Sequence, residues 1–201
     1  NLNAEDALIV TCFPSAGFVS SIVAHFLVDK LGLQFVGGVR GQGLPPVCLV
    51  QEGKPLPPLR FYAGEPICTV DRCDKIVLIA SEIQVSSEQS LALSDTILDW
   101  VENSGASQMM MIDSFSHGPD QAHSIFDDDN SEETLVGIGS TDEAHERLNG
   151  LGVSMLKHGV VGGMTGVMLG ECRRRRIDAM AVLAESGGDL ANGAIPDARA
   201  A

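Results

Sequence analysis

Aromatic side chains are scarce in this sequence: one Trp, one Tyr and seven Phe make up 4% of 201 residues, beside 44% hydrophobic content. Lysine is rarer still, and 13 Lys plus Arg stand against 27 Asp plus Glu, for a formal charge of −14. An isoelectric point near 4.5 means long-range repulsion from phosphate backbones, so no nucleic-acid partner is expected. Long apolar runs are missing too. None approaches the ~18–20 residues that a membrane-spanning helix needs, and no membrane partner is expected. The hydrophobic content equally excludes a disordered chain. The length fits one domain with a sizeable core.

Paired cysteines are also absent. Cys12, Cys48, Cys68, Cys73 and Cys172 are odd in number and scattered, which excludes a disulfide framework and a zinc ribbon. Cys12 and Cys48 sit in apolar runs and read as small core residues. The start, Asn1 to Asp6, has no basic segment before its short apolar stretch, so no secretory signal is read and a cytoplasmic address is expected. The chain opens without Met and stops just after Pro196-Asp197, which looks like the first turn of a helix. Further residues are therefore expected at one or both ends.

What is present alternates strand and helix. Ala7–Phe13, Lys75–Ser81 and Gln108–Ile112 are short continuous apolar runs, the mark of strands covered on both faces. Leu135–Ser140 and Asp178–Leu183 read as two more. Helices are expected to run up to about Lys30, from Ser86 or Ser87 to Asn103, from Thr141 or Asp142 to Leu148, and from Thr165 to Arg175. In the first, Phe18, Val19, Ile22, Val23, Phe26 and Leu27 cover more than half the circumference, which predicts thorough burial. Six of nine prolines fall between Pro45 and Pro66. There the short runs Phe35–Val39, Val47–Gln51, Leu59–Ala63 and Pro66–Val70 suggest edge strands or a small meander over 34–70. Residues 113–134 read as an acidic surface loop. The whole implies one α/β domain over 1–201, a three-layer α/β/α sandwich with a mixed central sheet.

Candidate chemistry is thin. Ser15, Ala16 and Gly17 occupy a strand-to-helix turn where amides can receive an anion. A nucleophile elbow fails there, because Phe13 stands where its first glycine belongs. An N-capping Ser15 and a packing Gly17 are the favoured reading. Gly162, Gly163, Thr165 and Gly166 form a second glycine-dense helix start, without the Lys-Ser/Thr end of a P-loop. These glycines equally allow close approach of the helix to the sheet or to a neighbouring subunit. Glu82 and Glu185 follow strand ends, where open sheets build sites, and with Ser15 they make the catalytic alternative. The bland reading pairs them with loop backbone or an arginine. His117, Asp120, His123 and Asp127 to Asp129 could ligate a metal, but Gly118-Pro119 breaks the helix that would gather them, and a solvated loop is favoured. No metal and no cofactor is expected. Arg173, Arg174, Arg175 and Arg176 close a helix against its dipole and are the one dense positive patch, a candidate interface.

The succession Phe13-Pro-Ser-Ala-Gly17, Leu44-Pro-Pro-Val47, Gly53-Lys-Pro-Leu-Pro-Pro58, Ser81-Glu-Ile83, the helix to Trp100, Gly137-Ile-Gly-Ser-Thr141, Gly159 to Gly166 and Leu183-Ala-Glu185 resembles the proteasome assembly chaperone family. The likeness is to its archaeal and bacterial members, over roughly residues 8–200. It implies a phosphorylase- or hydrolase-like fold, a homo-oligomer, and proteasome α-subunits or the core particle as partners, without catalysis. Some archaeal relatives dock through a hydrophobic-Tyr-any tail. Here the only tyrosine is Tyr62 and the sequence ends Ala198-Arg-Ala-Ala201, so such a tail is expected either beyond Ala201 or not to be used. The alternative function is an enzyme that takes a nucleoside or small anion at the helix starts.

Overall fold

The computed structural model describes residues 4–39, 41, 44–65, 75–115, 134–186 and 196–201. The suggested strand Pro66–Val70, the histidine–aspartate segment 117–129, Cys68 and Cys73 lie outside them. The runs with no polar interruption become the middle of the sheet. β1 (Leu8–Cys12) lies between β6 (Ile76–Ser81) and β7 (Gln108–Phe115), parallel to both. Every residue of β6 is buried, as a strand with helices on both faces requires.

Around this centre β2 (Gln34–Gly38), β5 (Leu59–Gly64), β8 (Leu135–Gly139), β9 (Ser154–Met155) and β10 (Ala179–Glu185) complete an eight-stranded sheet in the order β2-β5-β6-β1-β7-β10-β8-β9. β10 runs parallel to β7 and β9 parallel to β8, whereas β5 runs antiparallel to β2 and β6, and β8 antiparallel to β10. The proline-rich stretch holds β3 (Leu49–Gln51) and β4 (Lys54–Leu56), a separate hairpin. Its Val50 is 70% exposed, and Cys48 is exposed as well, not the core residue its apolar setting predicts.

The side-chain period of two divides the strands between two helical layers. Ile9, Val77, Ile79, Met109, Met111, Ala179 and Ala181 face α2 (Ser87–Ser104) and α4 (Gly163–Arg175), meeting Ile97, Leu98, Met168 and Cys172. Val10, Leu78, Ala80 and Ile112 face α1 (Val19–Lys30), while Met110, Met180 and Val182 meet Ala144 and Leu148 of α3 (Asp142–Gly150). Each fully buried Leu, Ile or Met contributes about 1.5–3 kcal/mol. α3 starts where Thr141 leaves the extended conformation and its hydroxyl accepts from the Ala144 amide, a working N-cap. The result is a mixed, mostly parallel sheet between two helical layers.

α1 departs from the sequence expectation. Only Val19, Ser20 and Ala24 are buried, and Phe26 is 57% exposed. A helix that is apolar on most sides faces either a core or something outside the fold. Here the inner face is used and the outer face is bare.

Candidate functional site

The chain leaves β1 towards α1 and β6 towards α2, on opposite faces of the sheet. A crevice opens beyond the ends of β1 and β7, the region where open α/β sheets build sites. It is a cavity of about 290 Å³, lined by Pro14, Ser15 and Ala16 after β1, by Asp113, Ser114 and Phe115 at the end of β7, and by Gly162 and Gly163 at the start of α4. Leu156, Val160, Val161, Val136 and Leu183 close its walls. Both glycine-bearing turns singled out in the sequence therefore meet at one place.

Their individual roles differ. Ser15 is 2% exposed, and its hydroxyl oxygen accepts from the Ser20 amide at 3.0 Å and the Ser20 hydroxyl at 2.9 Å. The Ser20 hydroxyl is also within 2.7 Å of the Ile112 carbonyl. Gly17 has φ +59°, and a β-carbon there would run into Ser186 and Asp197. The Asp197 amide donates to the Gly17 carbonyl at 2.8 Å, so the chain's last described segment lies on this turn. Gly166 carries no open space on its inner side, because a methyl would overlap the Val161 carbonyl. Its close approach is made within the chain.

Asp113 is the residue that sequence reasoning missed. It continues the buried Met109–Met111 stripe towards α4, where a hydrophobic residue is the ordinary choice. Its carboxylate accepts from the Ser114 amide at 2.7 Å and from the Thr165 hydroxyl. Burial outweighs both and pushes its pKa up to about 6. The signal was an acid placed directly after four apolar residues, which reads as the first residue of the acidic segment beyond it.

Glu82, at the end of β6, lies elsewhere in a tight ionic cluster. Arg60 of β5, 2% exposed, grips it with both terminal nitrogens, one at 2.8 Å to Oε2. Arg60 Nε donates to the Tyr62 hydroxyl at 3.0 Å, and His25 Nε2 stands 3.3 Å from Glu82 Oε1. Burial disfavours the Glu82 charge, but the hydrogen bonds from His25 and Arg60 prevail and hold its pKa at about 2. Glu82 thus works as a permanent acceptor that neutralises a buried guanidinium. Glu185 ends β10, its amide donating to the Thr134 carbonyl at 2.8 Å.

The arginine run is woven into the fold. Arg175 is 13% exposed and reaches Asp95 at 2.6 Å, Asp99 at 2.5 Å and Glu102 at 2.9 Å, binding α4 to α2. Arg173 donates to the Ser140 carbonyl at 2.9 Å, Arg174 pairs with Glu171 one turn back, and Arg176 closes the helix in a left-handed conformation. Among the described residues no group of three or more His, Cys, Asp or Glu could hold a metal ion. Likewise, no described helix is long and apolar enough to cross a membrane.

Exposed apolar side chains lie on both faces of the sheet near its β2 edge. Phe18 and Phe26 of the first helical segment and Phe35 and Val36 of the edge strand β2 are 38%, 57%, 44% and 46% exposed. Phe35 meets Tyr62 edge-on at 6.1 Å, and the Lys30 ammonium stands 5.9 Å from the Phe26 ring centre. From residue 7 to 39 the only formal charges are Asp29 and Lys30, which cancel. The entire −14 is therefore carried by the rest of the chain.

Comparison with known proteins gives a consistent picture. The family model described as PAC2 family matches residues 9–201. An uncharacterized protein of Methanocaldococcus jannaschii, MJ0106, is 26% identical over 184 residues, which is 92% of this chain and 68% of that protein. PbaA of Pyrococcus furiosus, described as an archaeal homolog of proteasome-assembly chaperone, superposes with a TM-score of 0.76 at 28% identity, over 94% of this chain and 75% of its own. PbaB of the same organism, described as an archaeal proteasome activator, shares the fold with a TM-score of 0.71 at 14% identity, over 92% and 77%.

Proposed function

As the chain belongs to the PAC2 family, we propose that it is a proteasome-assembly-chaperone-like binding module that works without catalysis. In this reading it self-associates and engages proteasome α-subunits or the assembled core particle. The observation that carries the reading is the family match over almost the whole chain, joined to the likeness to PbaA. Two features of the side chains support it. The Ser15 hydroxyl is committed to Ser20, and Glu82 is committed to Arg60.

The self-association face lies on the α1 side of the sheet, around Phe26 and Phe35. Copies of a chain with charge −14 repel one another except where the acid is missing, and residues 7–39 carry no net charge. An apolar patch with a sparse charged rim is the usual make-up of such an interface. Phe26→Asp is expected to reduce the native mass of the full chain to that of a monomer. Because Phe26 is mostly exposed, stability should move by no more than about 0.5 kcal/mol. A Phe26→Asp chain that keeps the parent's native mass would contradict this face.

The alternative, a phosphorylase- or hydrolase-like enzyme for a nucleoside or small anion, is favoured by one observation, the crevice at the strand ends. A carboxylate on its wall repels an anion, which weighs against that occupant.

A further inference from the structure

The crevice at the ends of β1, β7 and β10 contains an electrostatic imbalance. Asp113 sits on its wall, and among the described residues its partners are the Ser114 amide and the Thr165 hydroxyl. Among the described residues no Lys, Arg or His pairs with it, in contrast to Glu82, which holds Arg60 and His25. A carboxylate taken out of water is normally matched by a cation or by several donors. The first turn of α4 adds only a partial positive charge. The missing counter-charge thus has an obvious place, the adjoining cavity of about 290 Å³.

The remaining walls define the rest of the ligand. Phe115, Val136, Leu156, Val160, Val161 and Leu183 are apolar. The two hydroxyls nearby are already engaged, Ser15 with Ser20 and Ser114 as donor to the Ala16 carbonyl at 2.7 Å. Asp113 is the charged side chain among the lining residues. The cavity is near the lower end of the roughly 300–1,000 Å³ that small-molecule sites occupy, and such sites combine apolar walls with a few placed polar groups.

We propose that this crevice is a binding site for a small organic amine, an ammonium group on a short apolar stem, held by the Asp113 carboxylate. The site is independent of the assembly surface on α1 and β2, and it reverses the sequence expectation of an anion at these helix starts. The ammonium completes the hydrogen bonding of Asp113, and the stem displaces water from the aliphatic wall.

The test is a titration of the full chain at pH 7.5 with n-pentylamine, n-pentanol, pentanoate and inorganic phosphate, followed by amide chemical shifts. The amine is expected to bind saturably and move the Ser114, Gly162 and Gly163 amide signals. The isosteric alcohol, lacking the charge, is expected to bind at least about tenfold more weakly. Asp113→Asn should remove that preference while leaving the spectrum of a folded protein. Equal binding of amine and alcohol, or an amine preference that survives in Asp113→Asn, overturns the proposal. Phosphate or pentanoate moving the same amides more strongly than the amine overturns it as well.

Discussion

Glu82→Gln is expected to lower the unfolding free energy at pH 7 by about 2–3 kcal/mol, one of the largest losses any single polar change should cause in this chain. Arg60 is 2% exposed and is held by Glu82, Tyr62 and the Pro57 carbonyl. Removing the negative partner strands a buried cation, which costs about 3–5 kcal/mol for a fully buried pair. The Glu82 side chain keeps 21% of its exposure, so solvent screening places the loss below that range. The pair itself is not the source of net stability. Changing Arg60 to Met in the Glu82→Gln background should therefore recover most of the loss, a coupling that a double-mutant cycle in urea would measure.

The same pair sets an acid limit. The Glu82 pKa is depressed in the folded chain to about 2, so its stabilisation is complete above its unfolded value. It fades as the pH falls from roughly 4.5 towards 2. The parent should lose its advantage over Glu82→Gln across that window. An advantage that stays constant down to pH 2.5 would mean that Arg60 does not depend on the Glu82 charge.

The second large effect has the opposite sign. Asp113→Asn should stabilise the chain at pH 7.5 by about 2–3 kcal/mol, which for this size corresponds to ~5–10 °C in Tm. Here the folded pKa is raised to about 6. A raised pKa favours folding only while the group is protonated. That contribution is present below the unfolded value near 4 and is lost as the pH rises through 6. Parent and variant should thus unfold alike at pH 4 and separate between pH 4 and 7. Asparagine keeps an oxygen to accept from the Ser114 amide. A variant less stable than the parent at pH 7.5 would mean that Asp113 is held by a charge partner. A partly buried acid that weakens the fold at neutral pH is the kind of residue a binding site retains.

Strands β1 and β6 were legible because a strand covered on both faces has one local signature, an unbroken apolar run. Thr141 at the start of α3 was legible for a similar reason, since capping is decided within four residues. What escaped was set by distant pairing. Arg60 meets Glu82 because β5 and β6 are antiparallel with Arg60 opposite Ala80, and nothing in either segment alone announces that register. His25 joins them from α1, which packs on the face of the sheet that carries Leu78 and Ala80. Asp113 was hidden by its neighbours, since an acid before an acidic stretch reads as its beginning. In the structure, β7 continues to Phe115 and carries Asp113 into the layer facing α4. The apolar girth of α1 was visible, but sequence alone does not distinguish a face meant for the core from one meant for a partner. In the structure Phe26 is exposed on α1.

Whether this chain binds proteasome components, as proposed, is tested most directly by native mass spectrometry of the full chain. The chain would be measured alone and after mixing with its host's proteasome α-subunits and core particle. A defined homo-oligomer that captures either one is the predicted result. A chain that remains apart from both, at micromolar concentration and physiological salt, would contradict the claim.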